Sequence, residues 1–135
     1  MEIKKYKFPH HDDSRGARVA IEEMKDIPFQ VKRMYYMYGV KEGVERGFHA
    51  HKKLEQILIC IHGSCRIKLD DGYEKAEVLL DNPGEGLYIG SNLFHVMDKF
   101  SSNAVLLVLA SELYDESDYI RDYDEFLEYV RKCKG

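Results

Sequence analysis

The sequence lacks the features that mark secreted and membrane-spanning proteins. It has three cysteines, an odd number, and no two of them form a Cys-x-x-Cys pair. Cys60 and Cys65 lie in apolar, strand-like stretches, so we expect buried free thiols and a reducing, cytoplasmic compartment. Residues 1–16 have no apolar core of the kind found in signal peptides. No apolar run approaches the roughly 20 residues that span a bilayer, so no membrane contact is expected.

Internal repeats, low-complexity segments and linkers rich in proline or glycine are also missing. A chain of 135 residues without such divisions predicts one domain, residues 1–135, with one core. Basic residues are a minority and the net charge is -4, which makes general nucleic-acid binding a poor prediction. The charge is unevenly spread, because residues 1–66 are net positive and residues 67–135 are net negative. A site in the basic half would suit an anionic substrate.

What the sequence does contain is a series of short apolar segments separated by turn signals. Strands are predicted within residues 18–23, 31–38, 48–63, 64–72, 73–80, 84–97 and 104–111. Asp71 and Gly72 form a tight-turn dipeptide, which predicts a hairpin. Short, evenly spaced strands predict an all-β, antiparallel sandwich or barrel over about residues 13–111. Apolar residues recur at helical spacing over about residues 116–132, which predicts one C-terminal α-helix packed on the barrel.

Two histidines on one predicted strand form the main candidate site. His49 and His51 are two residues apart, so their side chains share one face of a strand. Glu55 joins that face if the strand stays regular, and His95 comes from another predicted strand. Three histidines and a carboxylate would make a complete ligand set for iron, manganese, nickel or zinc. The same groups could instead transfer protons, or lie as solvated side chains on an outer face.

The spacing around these histidines matches sequence motifs of the cupin barrel. Gly43, five residues, His-x-His, three residues and Glu55 reproduce most of the first motif. Gly84 stands eleven positions before His95, where the second motif starts. Asn92 replaces a glycine of that motif, and asparagine tolerates the left-handed backbone that such a turn requires. A cupin, or jelly-roll, barrel is therefore the predicted fold.

Blocks along almost the whole chain resemble one family of cupin enzymes. The matching blocks are DSRG, AIEE, IPF, KRMYY, RGFHAHKKLEQ, GSCR, LDDG, GLYIG and LASELYDESDYIRDYDEF. From about residue 13 to about residue 130 the chain resembles the dTDP-4-keto-6-deoxyglucose 3,4-ketoisomerases, which are similar in fold to the dTDP-sugar 3,5-epimerases. The resemblance implies a homodimeric enzyme of deoxysugar biosynthesis, serving lipopolysaccharide or surface-layer glycans, with exchanged N-terminal strands. It also implies catalysis without a metal or other cofactor, with the paired histidines as proton-transfer groups.

The implied reaction requires a base, an acid and groups that hold an oxyanion. Removing the C3 proton beside the C4 ketone gives an enediolate, and reprotonation at C4 leaves the ketone at C3. Histidine can serve as base or acid near neutral pH. We expect His51 to be the base at C3 and His49 to move or orient the second proton, although the sequence leaves these two roles exchangeable.

Basic and aromatic residues in the matching blocks are candidate substrate ligands. Arg15, Arg33 and Arg46 are expected to hold the substrate's pyrophosphate, because a guanidinium donates paired hydrogen bonds to phosphate oxygens. Tyr35 is expected to contact the sugar or the thymine, unless this strand packs its aromatic side chains in the core. Arg15 and His95 together resemble the branch of the family that gives the galacto-configured 3-keto product.

Three other functions are compatible with the sequence. A metal-dependent cupin, such as a dioxygenase or a sugar isomerase, could use the same histidines as ligands. A dTDP-sugar 3,5-epimerase would exchange protons at C5 as well as at C3. A non-catalytic cupin would bind the sugar nucleotide and leave its ketone at C4.

Overall fold

A computed structural model describes residues 1–134 of the chain. The strands are β1 (Lys5–Lys7), β2 (His10–Asp13), β3 (Gly16–Val19), β4 (Arg33–Tyr38), β5 (Arg46–His51), β6 (Gln56–His62), β7 (Cys65–Asp70), β8 (Lys75–Leu80), β9 (Glu85–Ile89), β10 (Phe94–Asp98), β11 (Val105–Ala110) and β12 (Tyr119–Ile120). A 3-10 turn spans Glu116–Asp118, and α1 spans Tyr123–Lys134. No helix in this part of the chain is long and apolar enough to span a bilayer.

Two five-stranded antiparallel sheets enclose the main core. The first has the order β1-β9-β6-β11-β4 and the second the order β12-β5-β10-β7-β8, while β2 and β3 form a separate hairpin. Strand β7 shows how the sequence produces this arrangement, because Cys65, Ile67 and Leu69 are buried while the residues between them are partly exposed. The inward side chains of both sheets pack together. The prediction of an all-β, cupin-type antiparallel barrel with a C-terminal helix is confirmed.

The C-terminal helix begins at Tyr123 rather than near residue 116. Asp115 accepts a hydrogen bond from the Ser117 amide and closes the 3-10 turn. Residues 119–120 are then extended and pair with β5, which buries Ile120. Burial of such a side chain contributes about 1.5–3 kcal/mol, so strand pairing prevails over the helical periodicity. Asp122 caps the true helix, because its carboxylate accepts from the Glu125 amide at 2.9 Å.

Helix α1 packs on the outer face of the second sheet. Phe126 and Val130 are buried against Phe94 and Val96 of β10 and Ala50 of β5. These two strands also carry the histidines of the candidate site. The helix therefore supports the back of the strands whose opposite face presents the imidazoles.

Candidate active site

Strands β5 and β10 bring the three histidines together. In the antiparallel register His95 lies directly opposite His49. The ring centroids of His49 and His51 are 4.9 Å apart, those of His49 and His95 are 4.8 Å apart, and those of His51 and His95 are 5.6 Å apart. His51 and His95 are buried and His49 is half-buried. The alternative interpretation, in which these residues are solvated side chains on an outer face of a strand, does not agree with this burial.

A glycine allows the two strands to approach closely enough for this contact. Gly47 has a φ of +98°, a left-handed conformation that favours glycine. A Cβ atom at this position would lie 2.8 Å from the carbonyl oxygen of His95. At the other end, Asn92 has a φ of 66° and its amide donates to the carbonyl of His51 at 2.9 Å. The left-handed turn expected at Asn92 is therefore present.

Backbone carbonyls select the tautomer of two of the imidazoles. Nδ1 of His49 lies 3.2 Å from the carbonyl oxygen of Gly47, and Nδ1 of His95 lies 3.1 Å from that of Leu93. A carbonyl oxygen can only accept, so each Nδ1 carries the proton and each Nε2 keeps its lone pair. Nε2 of His51 is buried without a hydrogen-bond partner among the described residues. The cluster therefore offers basic nitrogens for a proton or an electrophile.

The environment keeps all three imidazoles neutral. Burial, reinforced by repulsion from His95, lowers the pKa of His49 from 6.5 to about 3. The same two causes lower the pKa of His51 to about 2, with smaller contributions from neighbouring cations. Burial lowers the pKa of His95 to about 4. At neutral pH each group is thus a base rather than an acid.

The same geometry would suit a divalent metal. The ligand atoms of His49, His51 and His95 all lie within 4.8 Å of one another, and neutral imidazoles are the form that binds Zn²⁺ or Fe²⁺. The expectation that the reaction uses no metal stays a prediction.

Three arginines line the cavity that contains His49. Arg33 and Arg46 were expected there, and Arg121 was not. Nε of Arg33 is buried without a hydrogen-bond partner among the described residues. Its guanidinium lies 5.3 Å from the centre of the Tyr35 ring. A cavity with three guanidinium groups is suited to a diphosphate or another anion.

Tyr35 faces this cavity, whereas its neighbour Tyr36 faces solvent. Along β4 half-buried and exposed residues alternate, and Tyr35 belongs to the half-buried set. Its hydroxyl oxygen accepts a hydrogen bond from Nε2 of Gln56 at 3.0 Å. Burial raises the pKa of Tyr35, so the phenol keeps its proton and can donate it to a ligand.

Two residues from the sequence prediction lie elsewhere. Arg15 lies on the exposed turn between β2 and β3, where it pairs with Asp13 at 2.7 Å, and one chain does not bring it to the histidines. Glu55 does not share the histidine face, because β5 ends at His51. The carboxylate of Glu55 instead accepts a hydrogen bond from the hydroxyl of Tyr88 at 2.5 Å. The condition set for Glu55, a strand that stays regular through residue 55, is not met.

The sequence prediction missed residues that come from just before the helix. The ring of Tyr119 lies 5.0 Å from that of His49 and 4.5 Å from that of His51, centre to centre. Tyr114 and Arg121 line the same cavity as His49. These residues belong to the block LASELYDESDYIRDYDEF. The resemblance of this block to the family could have indicated these residues. The helical periodicity of the block led to the prediction of a helix instead.

A buried cluster of neutral histidines inside a cupin-type barrel, beside an arginine-lined cavity, is compatible with a class of isomerase that acts on an anionic substrate. Comparisons with known proteins agree with this class. A family model described as "WxcM-like, C-terminal" (FdtA) matches residues 1–131. The TDP-4-oxo-6-deoxy-alpha-D-glucose-3,4-oxoisomerase of Aneurinibacillus thermoaerophilus is 55% identical over 132 residues, which cover 98% of this chain and 95% of that protein. The chain belongs to the WxcM-like family of sugar 3,4-ketoisomerases.

Solved structures extend the similarity to three dimensions. The 3,4-ketoisomerase from Helicobacter canadensis is 50% identical, with a TM-score of 0.93 over 97% of this chain and 98% of that one. A histidine-to-asparagine mutant of the QdtA 3,4-ketoisomerase from Thermoanaerobacterium thermosaccharolyticum is 44% identical, with a TM-score of 0.95 over 96% and 94% of the two chains. That mutant was solved in complex with TDP-4-keto-6-deoxyglucose.

Proposed function

We propose that this chain converts dTDP-4-keto-6-deoxyglucose into the 3-keto isomer. The observation that carries the proposal is the cluster of three neutral imidazoles beside an arginine-lined cavity. The names of its close relatives support the same substrate and reaction. A cytoplasmic location belongs to the proposal, and the free cysteines Cys60, Cys65 and Cys133 support it.

The proposed reaction begins when His51 removes the proton from C3. The C3–H bond breaks, its electrons form a C3–C4 double bond, and the negative charge moves to the C4 oxygen. His49 then transfers a proton between the two oxygens, so that O4 gains one and O3 loses one. C4 then takes a proton and protonated His51 loses the one that it took, directly or through exchange with solvent, so no proton or electron is gained overall. Buried His51, whose Nε2 has no partner among the described residues, is suited to the first step.

The arginines bind the substrate, and the bound diphosphate in turn strengthens the base. Burial is the largest cause of the low pKa of His51, and Arg33 and Arg121 add to it through their positive charge. A diphosphate bound beside these guanidinium groups would counter their effect on the imidazole. The pKa of His51 therefore rises when substrate binds, which makes the imidazole a better acceptor of the C3 proton.

The proposed assembly is a homodimer with exchanged N-terminal strands. The hairpin of β2 and β3 is exposed along its whole length. On the edge strand β4, Met34, Tyr36 and Tyr38 are 59%, 58% and 72% exposed. An apolar row of this kind on a sheet edge is suited to contact with a second chain. In such a dimer the hairpin would carry Arg15 toward the partner's active site.

The proposed product has the galacto configuration at C4. His95 lies on β10 opposite His49 of β5, and its presence together with Arg15 resembles the branch of the family that gives the galacto product. The test is to trap the labile product with a 3-aminotransferase and to read the H3–H4 coupling by NMR. A small coupling is expected. A large trans-diaxial coupling would mean the gluco product and would leave the isomerase assignment intact.

NMR of the reaction in D₂O tests the proposed function itself. Incubation with dTDP-4-keto-6-deoxyglucose should move the ketone from C4 to C3 and place deuterium at C4. Deuterium at both C3 and C5, with the ketone still at C4, would instead indicate a 3,5-epimerase. An unchanged substrate that binds to the protein would indicate a non-catalytic sugar-binding cupin.

A further inference from the structure

The block just before the helix, residues 114–121, lies against the catalytic histidines, although the proposed reaction gives a role only to Arg121 of this block. Strand β12 pairs with β5 so that Tyr119 is opposite His51. The Tyr119 ring meets the imidazoles of His49 and His51 edge to face, with interplanar angles of 64° and 78°. One aromatic ring thus contacts both members of the proposed proton-transfer pair.

A network of polar contacts holds Tyr119 from the side that faces solvent. The guanidinium of Arg121 lies 4.6 Å from the centre of the Tyr119 ring. Arg121 donates two hydrogen bonds to the carboxylate of Glu116, at 2.8 and 2.9 Å. The hydroxyl of Tyr114 donates to the same carboxylate. Both side chains of the Arg121–Glu116 ion pair are about half exposed. Exposed ion pairs contribute little to stability, so a contribution to stability does not explain this arrangement.

We propose that Tyr119 is a positioning residue, which holds the imidazoles of His49 and His51 in their reactive orientation, and that Glu116 and Arg121 hold Tyr119. This inference rests on the proposed function, because it assumes that the two imidazoles transfer protons. Tyr119 restricts the rotation of both rings and keeps water from the parts of the rings that it covers. Position matters because a displacement of about 1 Å in a catalytic group can cost about 10²-fold in rate.

The proposal also predicts how the two histidines titrate. The titratable and charged groups that face them are His95 from β10, Arg33 and Tyr35 from β4, Arg46 from β5, and Tyr114, Glu116, Tyr119 and Arg121 from the block. Burial is the largest cause of the low pKa values of both histidines. Loss of the Tyr119 ring would admit water and reduce that desolvation. The pKa values of both imidazoles should then rise toward the ordinary value near 6.5.

The test compares Tyr119→Leu, which removes the ring, with Tyr119→Phe, which keeps it. Tyr119→Leu should lower kcat by about 10²-fold, with KM little changed. Tyr119→Phe should retain most of the activity, because ring packing and not the hydroxyl carries the contact. A rise in KM with kcat unchanged would overturn the proposal and make Tyr119 a substrate-binding residue.

Imidazole nitrogen NMR without substrate separates this proposal from the proposed function. In Tyr119→Leu the resonances of His49 and His51 should shift and titrate at higher pH than in the wild type. Unchanged titrations would overturn the positioning role even if the enzyme is an isomerase. If Tyr119→Leu does not fold, Glu116→Gln, which releases Arg121, should still shift these resonances. Glu128→Gln, on the exposed face of α1, is the matched control and should shift neither.

Discussion

The imidazole of His51 differs from those of His49 and His95 in its hydrogen-bonding state, and this difference agrees with its proposed role. His49 and His95 each use Nδ1 to donate to a backbone carbonyl. His51 is only 1% exposed, and its Nε2 has no partner among the described residues. Nε2 of His51 is therefore available to take a proton from a substrate, as its proposed role requires.

Replacement of His51 by asparagine should abolish most of the activity. His51→Asn keeps a polar side chain of similar size but removes the proton acceptor, so kcat should fall by about 10²–10⁴-fold. His49→Asn should be severely impaired as well. The measurements are steady-state kinetics, with circular dichroism to show that both variants fold. Near-wild-type turnover in either variant would refute the role assigned to that histidine.

The pH dependence of the two kinetic parameters should differ. In the free chain His51 has a pKa of about 2 and His49 of about 3. The neutral base is lost only as pH falls through these low values, so kcat/KM should not fall between pH 8 and pH 5 through protonation of these imidazoles. The proposed rise in the pKa of His51 with bound diphosphate should place the acid limb of kcat at higher pH than that of kcat/KM. Coincident limbs would contradict the role given to the arginines.

Removal of divalent metal should leave the activity unchanged. The three histidines could hold an ion, but the proposed reaction needs only proton transfers. Protein dialysed against EDTA should turn over as fast as untreated protein, and metal analysis of both samples provides the control. Activity that is lost with the metal and restored by one divalent ion would place the chain among the metal-dependent cupins.

Irregularities in the backbone of strand β5 determine where its two histidines lie. Gly47 and Phe48 both have positive φ values, and the register with β10 shifts between His95 and Val96. Beyond His51 the chain leaves the sheet, where the carboxylate of Asp118 accepts from the amides of the next loop at 2.9 and 3.1 Å. The strand therefore presents its two histidines over a short, well-defined length.

Replacement of Gly47 by alanine should disrupt the site. The new Cβ would lie 2.8 Å from the carbonyl oxygen of His95, at a φ of +98°, so β5 must move away from β10. We expect lost activity and a lower melting temperature, measured by kinetics and thermal unfolding. Gly43→Ala is the matched control, because its φ is +81° and nothing lies within 4 Å of the added atom. Gly43→Ala should keep its activity, and equal losses in both variants would refute the proposed effect of the close approach.

At the scale of the whole molecule, one chain does not assemble every residue that the family resemblance assigns to the site. Arg33 and Arg46 lie at the cavity of His49, whereas Arg15 lies on the exposed hairpin. The side chain of Arg15 is 89% exposed, so it is available to a second chain. The proposed strand exchange would complete the site.

Complementation between two inactive variants tests this exchange. His51→Asn and Arg15→Gln should each impair the enzyme when expressed alone. In a heterodimer with exchanged hairpins, one site combines His51 of the Arg15→Gln chain with Arg15 of the other chain. Coexpression should therefore restore activity well above that of either variant. Sedimentation measurements check that dimers form, and dimers without restored activity would mean that Arg15 does not act across the interface.

The sequence by itself determined the local features of this protein. Alternating apolar residues gave the positions of the central strands, since side chains on a strand repeat every two residues. The same period placed His49 and His51 on one face. The spacing before His95 indicated the left-handed turn at Asn92.

The tertiary structure alone decided which distant segments meet. Strand register placed His95 opposite His49, and pairing of β12 with β5 brought Tyr119 onto both imidazoles. Glu55 left the histidine face for Tyr88 because the strand ended early. Local periodicity could not reveal these contacts, because each depends on competition between segments far apart in the chain. At residues 116–120 the helical spacing of apolar residues predicted a helix. The chain instead forms a 3-10 turn and then a strand that pairs with β5 and buries Ile120.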